Sequence, residues 1–285
     1  MDPAASHAPL DITALRRTRA GQRFGATIHY LDTTDSTNTV ARDHAMAGAA
    51  EGTVVIAETQ TKGRGRLGRT WVSPPHRNLY LSVVLRPPIE VVAAPQIGLV
   101  AGVAVAAAVA EWAPAAAIKW PNDVLVAGRK VAGILMELEA DLDRIRFVVL
   151  GIGVNVNTAP EEFPEDLRDK AGSLMTACAA PVDRVKFADR LLSYLEDGYG
   201  RFVRDGFAAI RPRWEARSCL HGAHVRIDAG GDRVDGMVAG LADDGCLVVR
   251  TAGGTDVRVV AGDVTVLDGY AAGDTLRAHA STSST

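Results

Sequence analysis

A glycine-rich loop that runs straight into two prolines cannot open a helix, and this excludes two common phosphate-binding architectures. Residues Gly63 to Trp71 read GRGRLGRTW, and Thr70-Trp71-Val72-Ser73-Pro74-Pro75 closes the stretch. Gly63, Gly65 and Gly68 fit the GxGxxG spacing, and Gly63 to Thr70 nearly matches a P-loop, with Arg69 where a lysine belongs. Both motifs work only when a helix begins directly after the glycines, because its N-terminus holds the phosphate. Paired prolines push the residues before them out of the helical region and cannot sit inside a helix themselves. Neither a Rossmann nor a P-loop mechanism is therefore available.

What remains is a loop with three arginines, Arg64, Arg66 and Arg69, set among glycines. Glycine allows close backbone approach, and the planar guanidinium fits carboxylate and phosphate. A solvated surface turn could carry the same charges. The apolar run Thr53 to Thr59 before the loop and Trp71 after it instead place it against a core. Such a loop repels itself when empty and is expected to order as a lid over a small anion.

The net charge of -3 gives no general basic field for nucleic acid, so the cations are local. Arginine outnumbers lysine 26 to 5, yet Lys62, Lys119 and Lys130 all fall in the motif region, where a compact ammonium is implied. Cys178, Cys219 and Cys246 lie far apart with no CxxC pattern, as expected of reduced structural thiols in a cytoplasmic protein. The first nine residues lack the apolar stretch of a targeting signal and are expected to be floppy. The apolar run Ile97 to Ala110 falls short of the ~20 residues of a membrane span, so a buried helix is expected over Gln96 to Trp112.

Further helices are expected over Asp11 to Ala20, from DSTN to about Ala50, from Asp183 to Asp205, and over Phe207 to Arg217. Strands are expected at Ile28 to Leu31, Thr53 to Thr59, Ile118 to Trp120, Val124 to Val126, Gly133 to Glu139 and Arg144 to Leu150. Asn78 to Leu85 reads as a strand alternating apolar and polar residues. Beyond Cys219 the texture turns to five short valine-rich strands between glycine and aspartate turns, which predicts a separate β-barrel. The domain boundary is placed near Arg217, giving units 1–217 and 218–268, with a disordered tail over 269–285.

Three further segments admit two interpretations each. KWPNDV (Lys119 to Val124) anchors a turn with Trp120 and presents Asn122 and Asp123 at a strand end, but PND is also an ordinary β-turn. Lys130 is either a ligand-facing ammonium or a strand-edge lysine that guards against aggregation. Asp35-Ser36-Thr37-Asn38 is either a helix N-cap or, with Gln60, a set of neutral hydrogen-bonding groups for a urea-like ligand.

In this order and spacing, DSTN, QTKGRGRLGRTW, KWPNDV, RKVAGILMELE and GIGVNVN (Thr33 to Asn157) resemble the biotin protein ligases. The resemblance implies an α/β (α+β) catalytic domain with a mixed β-sheet, followed by a small SH3-like C-terminal barrel. It also implies two steps. Biotin and ATP give biotinyl-5'-AMP, and the biotinyl group then passes to a lysine of a biotin carboxyl carrier protein domain. By similarity, Ser36, Thr37, Asn38, Gln60, Gly63, Arg64, Gly65, Arg66, Trp71, Lys130, Gly133 and Leu135 would hold biotin. Arg66, Arg69, Lys119, Asn122 and Asn155 would hold the nucleotide. Lys130, Arg66 and Asp123 would carry the chemistry, Mg²⁺ would accompany ATP, and no protein metal ligand is implied. The 34 residues ahead of Asp35 are too few for the winged helix-turn-helix of the family's repressors, so DNA binding is not expected. Homodimers through sheet edges are consistent with the resemblance. The rival assignments are a lipoate or octanoyl ligase or transferase of related fold, and a biotin sensor that binds without turnover.

Overall fold

The computed structural model describes residues 8–268, so the expected tail and most of the expected floppy start lie outside the described residues. The larger part is a seven-stranded sheet in the order β1-β2-β3-β7-β6-β5-β4. Its strands are β1 (Ile28–Thr34), β2 (Val54–Gln60), β3 (Leu79–Leu85), β4 (Ala117–Lys119), β5 (Asp123–Val126), β6 (Arg129–Ala140) and β7 (Ile145–Val154). Only β1 and β2 run parallel, and the sheet is mixed as expected.

Helices cover both faces. On one side α2 (Thr37–Met46) buries Ala41 and Ala45 against Val55, Val84, Phe147 and Val149. The opposite faces of the same strands, carrying Val54, Ile56, Val83, Leu85, Val148 and Leu150, join the main core with α3 (Gln96–Ala110) and α5 (Arg184–Asp205). Side chains alternate across a strand, so a strand covered on both sides is apolar throughout. This corrects the expected alternation in β3, all seven of whose residues are buried. Its single polar member, Ser82, faces Thr37 and Asn38.

Together with a preceding 3₁₀ turn, α3 forms a 20-residue stretch, Val91–Ala110, with the length and apolarity of a membrane span. That is longer than the sequence bounds implied. Burial assigns it: ten of its helical residues are enclosed between α5 and the sheet. After the short helix α4 (Leu174–Cys178), Asp183 accepts from the Val185 and Lys186 N–H groups as the N-cap of α5, and Phe187, Leu191, Leu195, Tyr199 and Phe202 lie inward. The single helix expected over Phe207 to Arg217 splits into a 3₁₀ turn, Phe207–Ala209, and α6 (Arg211–Glu215). Pro212 has no N–H to donate and is tolerated only in a first helical turn, so α6 must begin beside it.

Near the chain's start, α1 (Ile12–Thr18) packs on α5. The segment just ahead of it is clasped by a buried ion pair. Arg184 donates to both Glu58 oxygens at 2.8 and 3.2 Å, and to the carbonyls of Asn78 and Ala8. Glu58 also accepts from the Leu10 N–H at 2.6 Å and the Tyr30 hydroxyl at 2.8 Å. Burial alone would push the Glu58 carboxyl up. Arg184, Leu10 and Tyr30 outweigh it and hold the group below the usual carboxylate range. Its stabilisation is complete above an unfolded value of ~4.3 and is lost as pH falls through the lower folded value. Glu58→Ala strands a buried guanidinium, so urea titration is expected to show about 3–5 kcal/mol lost at neutral pH, with a shallower acid unfolding limb.

The smaller sheet is antiparallel in the order β11-β10-β9-β8-β12. Its strands are β8 (His224–Ala229), β9 (Asp232–Leu241), β10 (Leu247–Arg250), β11 (Asp256–Val259) and β12 (Asp263–Val266). Edge strands β11 and β12 do not pair, so the expected barrel is not closed. The chain entering this sheet runs beside β4 in a short parallel bridge at Ser218: the Ile118 N–H donates to Arg217 O at 2.7 Å, and the Cys219 N–H donates to Ile118 O at 3.0 Å. Trp120 Nε1 donates to Gly245 O at 3.4 Å, and Val225, Ile227 and Leu247 belong to the main core. All three cysteines are free, and burial pushes the Cys219 thiol up to about 11, which suits inert, reduced thiols.

Candidate active site

The expected site segments meet at one end of the large sheet. β1 delivers Ser36, Thr37 and Asn38 at the start of α2, and β2 delivers Gln60 beside them. Thr37 donates to Gln60 Oε1 from its backbone N–H at 2.9 Å and its hydroxyl at 3.2 Å. Ser36 occupies the N-cap position yet makes no side-chain cap bond, which leaves it among the groups lining a narrow slot.

The glycine-arginine loop folds back on itself as a small flap. Arg64 pairs with Thr70, the Gly65 N–H donates to Arg69 O at 2.7 Å, and the Trp71 N–H donates to Gly63 O at 2.9 Å. The flap's tip is a 3₁₀ turn, Arg66–Gly68, with Leu67 in the left-handed region at φ 55°. The self-repulsion expected of this loop is met within the chain. Arg64 pairs with Glu137 at 2.8 Å, Arg66 donates to Asn122 Oδ1 at 3.2 Å, and Arg69 pairs with Asp263. Burial, helped by the like charge of Arg69, pulls the Arg66 guanidinium below its ordinary value against the opposing effects of Asp263 and Asp123.

Ser36, Thr37, Asn38, Gln60, Arg64, Gly65, Arg66, Trp71, Asn122, Lys130, Gly133 and Leu135 line the slot, with Gly151 and Gly153 of β7. Gly63 does not line it, because its backbone is paired under Trp71. Beyond the flap the slot opens into a cleft of about 670 Å³ lined by Arg66, Arg69, Lys119, Asn122, Asp123, Lys130 and Asn155. Arg66, Trp71, Asn122 and Lys130 border both spaces. Lys130 Nζ lies 2.7 Å from Asp123 Oδ1 and 5.4 Å from the Trp71 ring centroid. Thus Asp123 is paired with Lys130. Asn122 is fixed by Nδ2 donating to Ile134 O at 2.9 Å, and Asn155 by Nδ2 donating to Gly172 O at 3.0 Å.

Several lining residues carried no local signal. Asp263, Val264 and Thr265 of β12 form part of the cleft wall, and Glu162, Phe163 and Lys170 come from the loop after β7. Only docking of the two sheets brings β12 there. The slot depends on bare backbone: a methyl at Gly153 would lie 2.5 Å from Trp71 Cε2. Gly153→Ala is expected to displace Trp71 and cost about 1–3 kcal/mol by overpacking, measurable as a lower melting temperature together with weaker ligand binding.

Residues 30–155 match the Biotin/lipoate A/B protein ligase family, and residues 220–267 match the Biotin protein ligase C terminal domain. The chain belongs to the biotin/lipoate A/B protein ligase family, a family of ligases. Over 266 residues it is 40% identical to the biotin--[acetyl-CoA-carboxylase] ligase of Mycobacterium tuberculosis, covering 90% of this chain and 95% of that one. It is 38% identical over 229 residues to the bifunctional ligase/repressor BirA of Bacillus subtilis, covering 80% of this chain and 70% of that one. The biotin protein ligase from Aquifex aeolicus in complex with biotin and ATP superimposes with a TM-score of 0.73 at 30% identity. It covers 85% of this chain and 98% of its own. The relatives just named are all biotin ligases or ligase/repressors, which narrows the kinship to the biotin side of the family.

Proposed function

We propose that the chain activates biotin with ATP and transfers the biotinyl group to a lysine of a biotin carboxyl carrier protein domain. One observation carries this: a polar-floored slot and a wide cleft meet at Arg66, Trp71, Asn122 and Lys130. The slot suits a urea ring, held by Ser36, Thr37 and Gln60, with the acid tail directed toward Lys130. The cleft suits a nucleotide whose α-phosphate lies near Arg66 and Lys130, with Arg69, Lys119 and Asn155 further along.

In the first step a biotin carboxylate oxygen bonds to the α-phosphorus, and the bond to the departing pyrophosphate breaks. Two anions must be brought together, so the cations of Arg66 and Lys130 lower the barrier by positioning and by charge stabilisation. Mg²⁺ would accompany the ATP substrate and would supply neutralisation of its phosphate charge. Among the described residues no group of three His, Cys, Asp or Glu is placed to hold a metal ion. In the second step a neutral lysine amine bonds to the acyl carbon, AMP departs, and the amine loses a proton. Asp123, at the cleft's edge, orients the amine or takes that proton. Asp123→Asn is expected to slow transfer from preformed biotinyl-5'-AMP at least tenfold, and an unchanged transfer rate removes this role. A cytoplasmic location is supported by the three free cysteines.

Intact-mass analysis of a carrier domain incubated with the protein, Mg²⁺, ATP and either biotin or lipoate tests the assignment. A gain of one biotinyl group, with none from lipoate, is the expected result. A lipoyl gain would transfer the chain to the lipoate branch, and ATP-dependent binding without any gain would make it a sensor.

A further inference from the structure

Behind the slot, Glu137 on β6 accepts at one carboxylate oxygen from Asn38 Nδ2 at 3.0 Å, and the same oxygen pairs with Arg64 Nη2 at 2.8 Å. Asn38 is buried, lying flat where a methyl at Gly151 would overlap its Oδ1. That Oδ1 accepts from the Ser82 hydroxyl at 2.7 Å, and Ser82 Oγ lies 2.8 Å from Thr37 Oγ1. Thr37 leads on to Gln60 Oε1. A continuous run of polar groups therefore links Glu137 to the slot floor.

A carboxylate only accepts hydrogen bonds, whereas amides and hydroxyls can face either way. Glu137, together with the Leu135 carbonyl that accepts from the same Nδ2 at 3.3 Å, therefore holds the Asn38 NH₂ toward β6 and its carbonyl oxygen toward Ser82. The single Ser82 proton is then committed to Asn38, and the Thr37 hydroxyl directs its own proton to Ser82 or Gln60. What Thr37 offers the slot is a lone pair. Were Asn38 to turn over, Ser82 would accept from it and donate to Thr37, whose proton would lose Ser82 as an acceptor and be divided between Gln60 Oε1 and the slot.

We propose that Glu137 is a positioning residue that sets the polarity of the slot floor, so that Thr37 accepts from a ligand N–H. The inference rests on the biotin assignment above and extends it to a residue outside the slot lining. The ligand selected is a cyclic urea with both N–H groups in place, in preference to a cyclic carbamate in which one is replaced by oxygen.

Isothermal titration of biotin, its two cyclic-carbamate analogues and ATP against the full chain tests this, with the wild type beside Glu137→Gln and Ser82→Ala. Glu137→Gln is expected to weaken biotin about tenfold, to leave ATP unchanged, and to narrow the preference for biotin over at least one carbamate by a similar factor. Ser82→Ala interrupts the same run without touching Arg64 and should narrow the preference equally. Equal weakening of biotin and both carbamates in Glu137→Gln would overturn the proposal in favour of simple structural support. Narrowing in Glu137→Gln but not in Ser82→Ala would overturn it in favour of an effect through Arg64. A wild type that binds no biotin at all would defeat the functional assignment itself, a result distinguishable from either.

Discussion

Replacing Lys130 by methionine is expected to slow biotinyl-5'-AMP formation about 100- to 1,000-fold, the usual consequence of removing one charge aimed at a reacting phosphoryl group. The fold should tolerate the change. The Lys130–Asp123 pair is partly exposed, with side chains 35% and 23% accessible, and such pairs contribute little to stability. The methionine keeps the apolar stem against Trp71. Transfer from synthetic biotinyl-5'-AMP should fall far less than its formation, because the second step has no pair of anions to hold together. Pyrophosphate release under single-turnover conditions measures the first step, and carrier mass measures the second. Equal losses in both would place Lys130 outside phosphoryl chemistry.

Arg66→Gly should act differently. Arg66 bridges the flap to Asn122 of the opposite wall and borders both slot and cleft. Glycine removes the bridge and the charge while leaving the backbone free to keep its turn. The expected result is that biotinyl-5'-AMP still forms but escapes at least tenfold faster, since the flap no longer excludes water or retains the ligand. Escaped mixed anhydride acylates any exposed amine. Streptavidin blotting of a bystander protein in the same tube should therefore show labelling absent with the wild type. Loss of carrier labelling without bystander labelling would argue that Arg66 serves formation alone.

Much of this site could be read from the chain because its parts are short and local. The two prolines after Trp71 forbade a helix, and the loop is indeed a strand-linked flap. DSTN directly follows a strand, and Gln60, KWPND and Lys130 lie at strand ends, so their side chains converge where the sheet ends. Alternation failed for β3, because a strand covered on both faces by α2 and the α3–α5 layer loses its polar register. The five short strands of the expected barrel are all present, but closure was not legible, because nothing local tells whether β11 and β12 join. Glu137 and Asp263 were missed for a further reason. Each looks like an ordinary surface acid until tertiary packing sets a flap arginine against it. The loop's cations were visible, but the carboxylates that neutralise them lie 73 and 194 positions away, for Arg64 and Arg69 respectively.

The wall that β12 gives the cleft bears on how these enzymes can be cut and recombined. Cleavage at Arg217 would bare the backbone of Ile118, leave the Trp120 indole without its acceptor and strip Asp263 from the flap. The two halves are thus recognisable as separate stretches of text but not separable as working parts. A chimera that borrows its last fifty or so residues from a relative inherits a new wall for the cleft along with them. Such grafts should be designed with the flap and the final strand exchanged together.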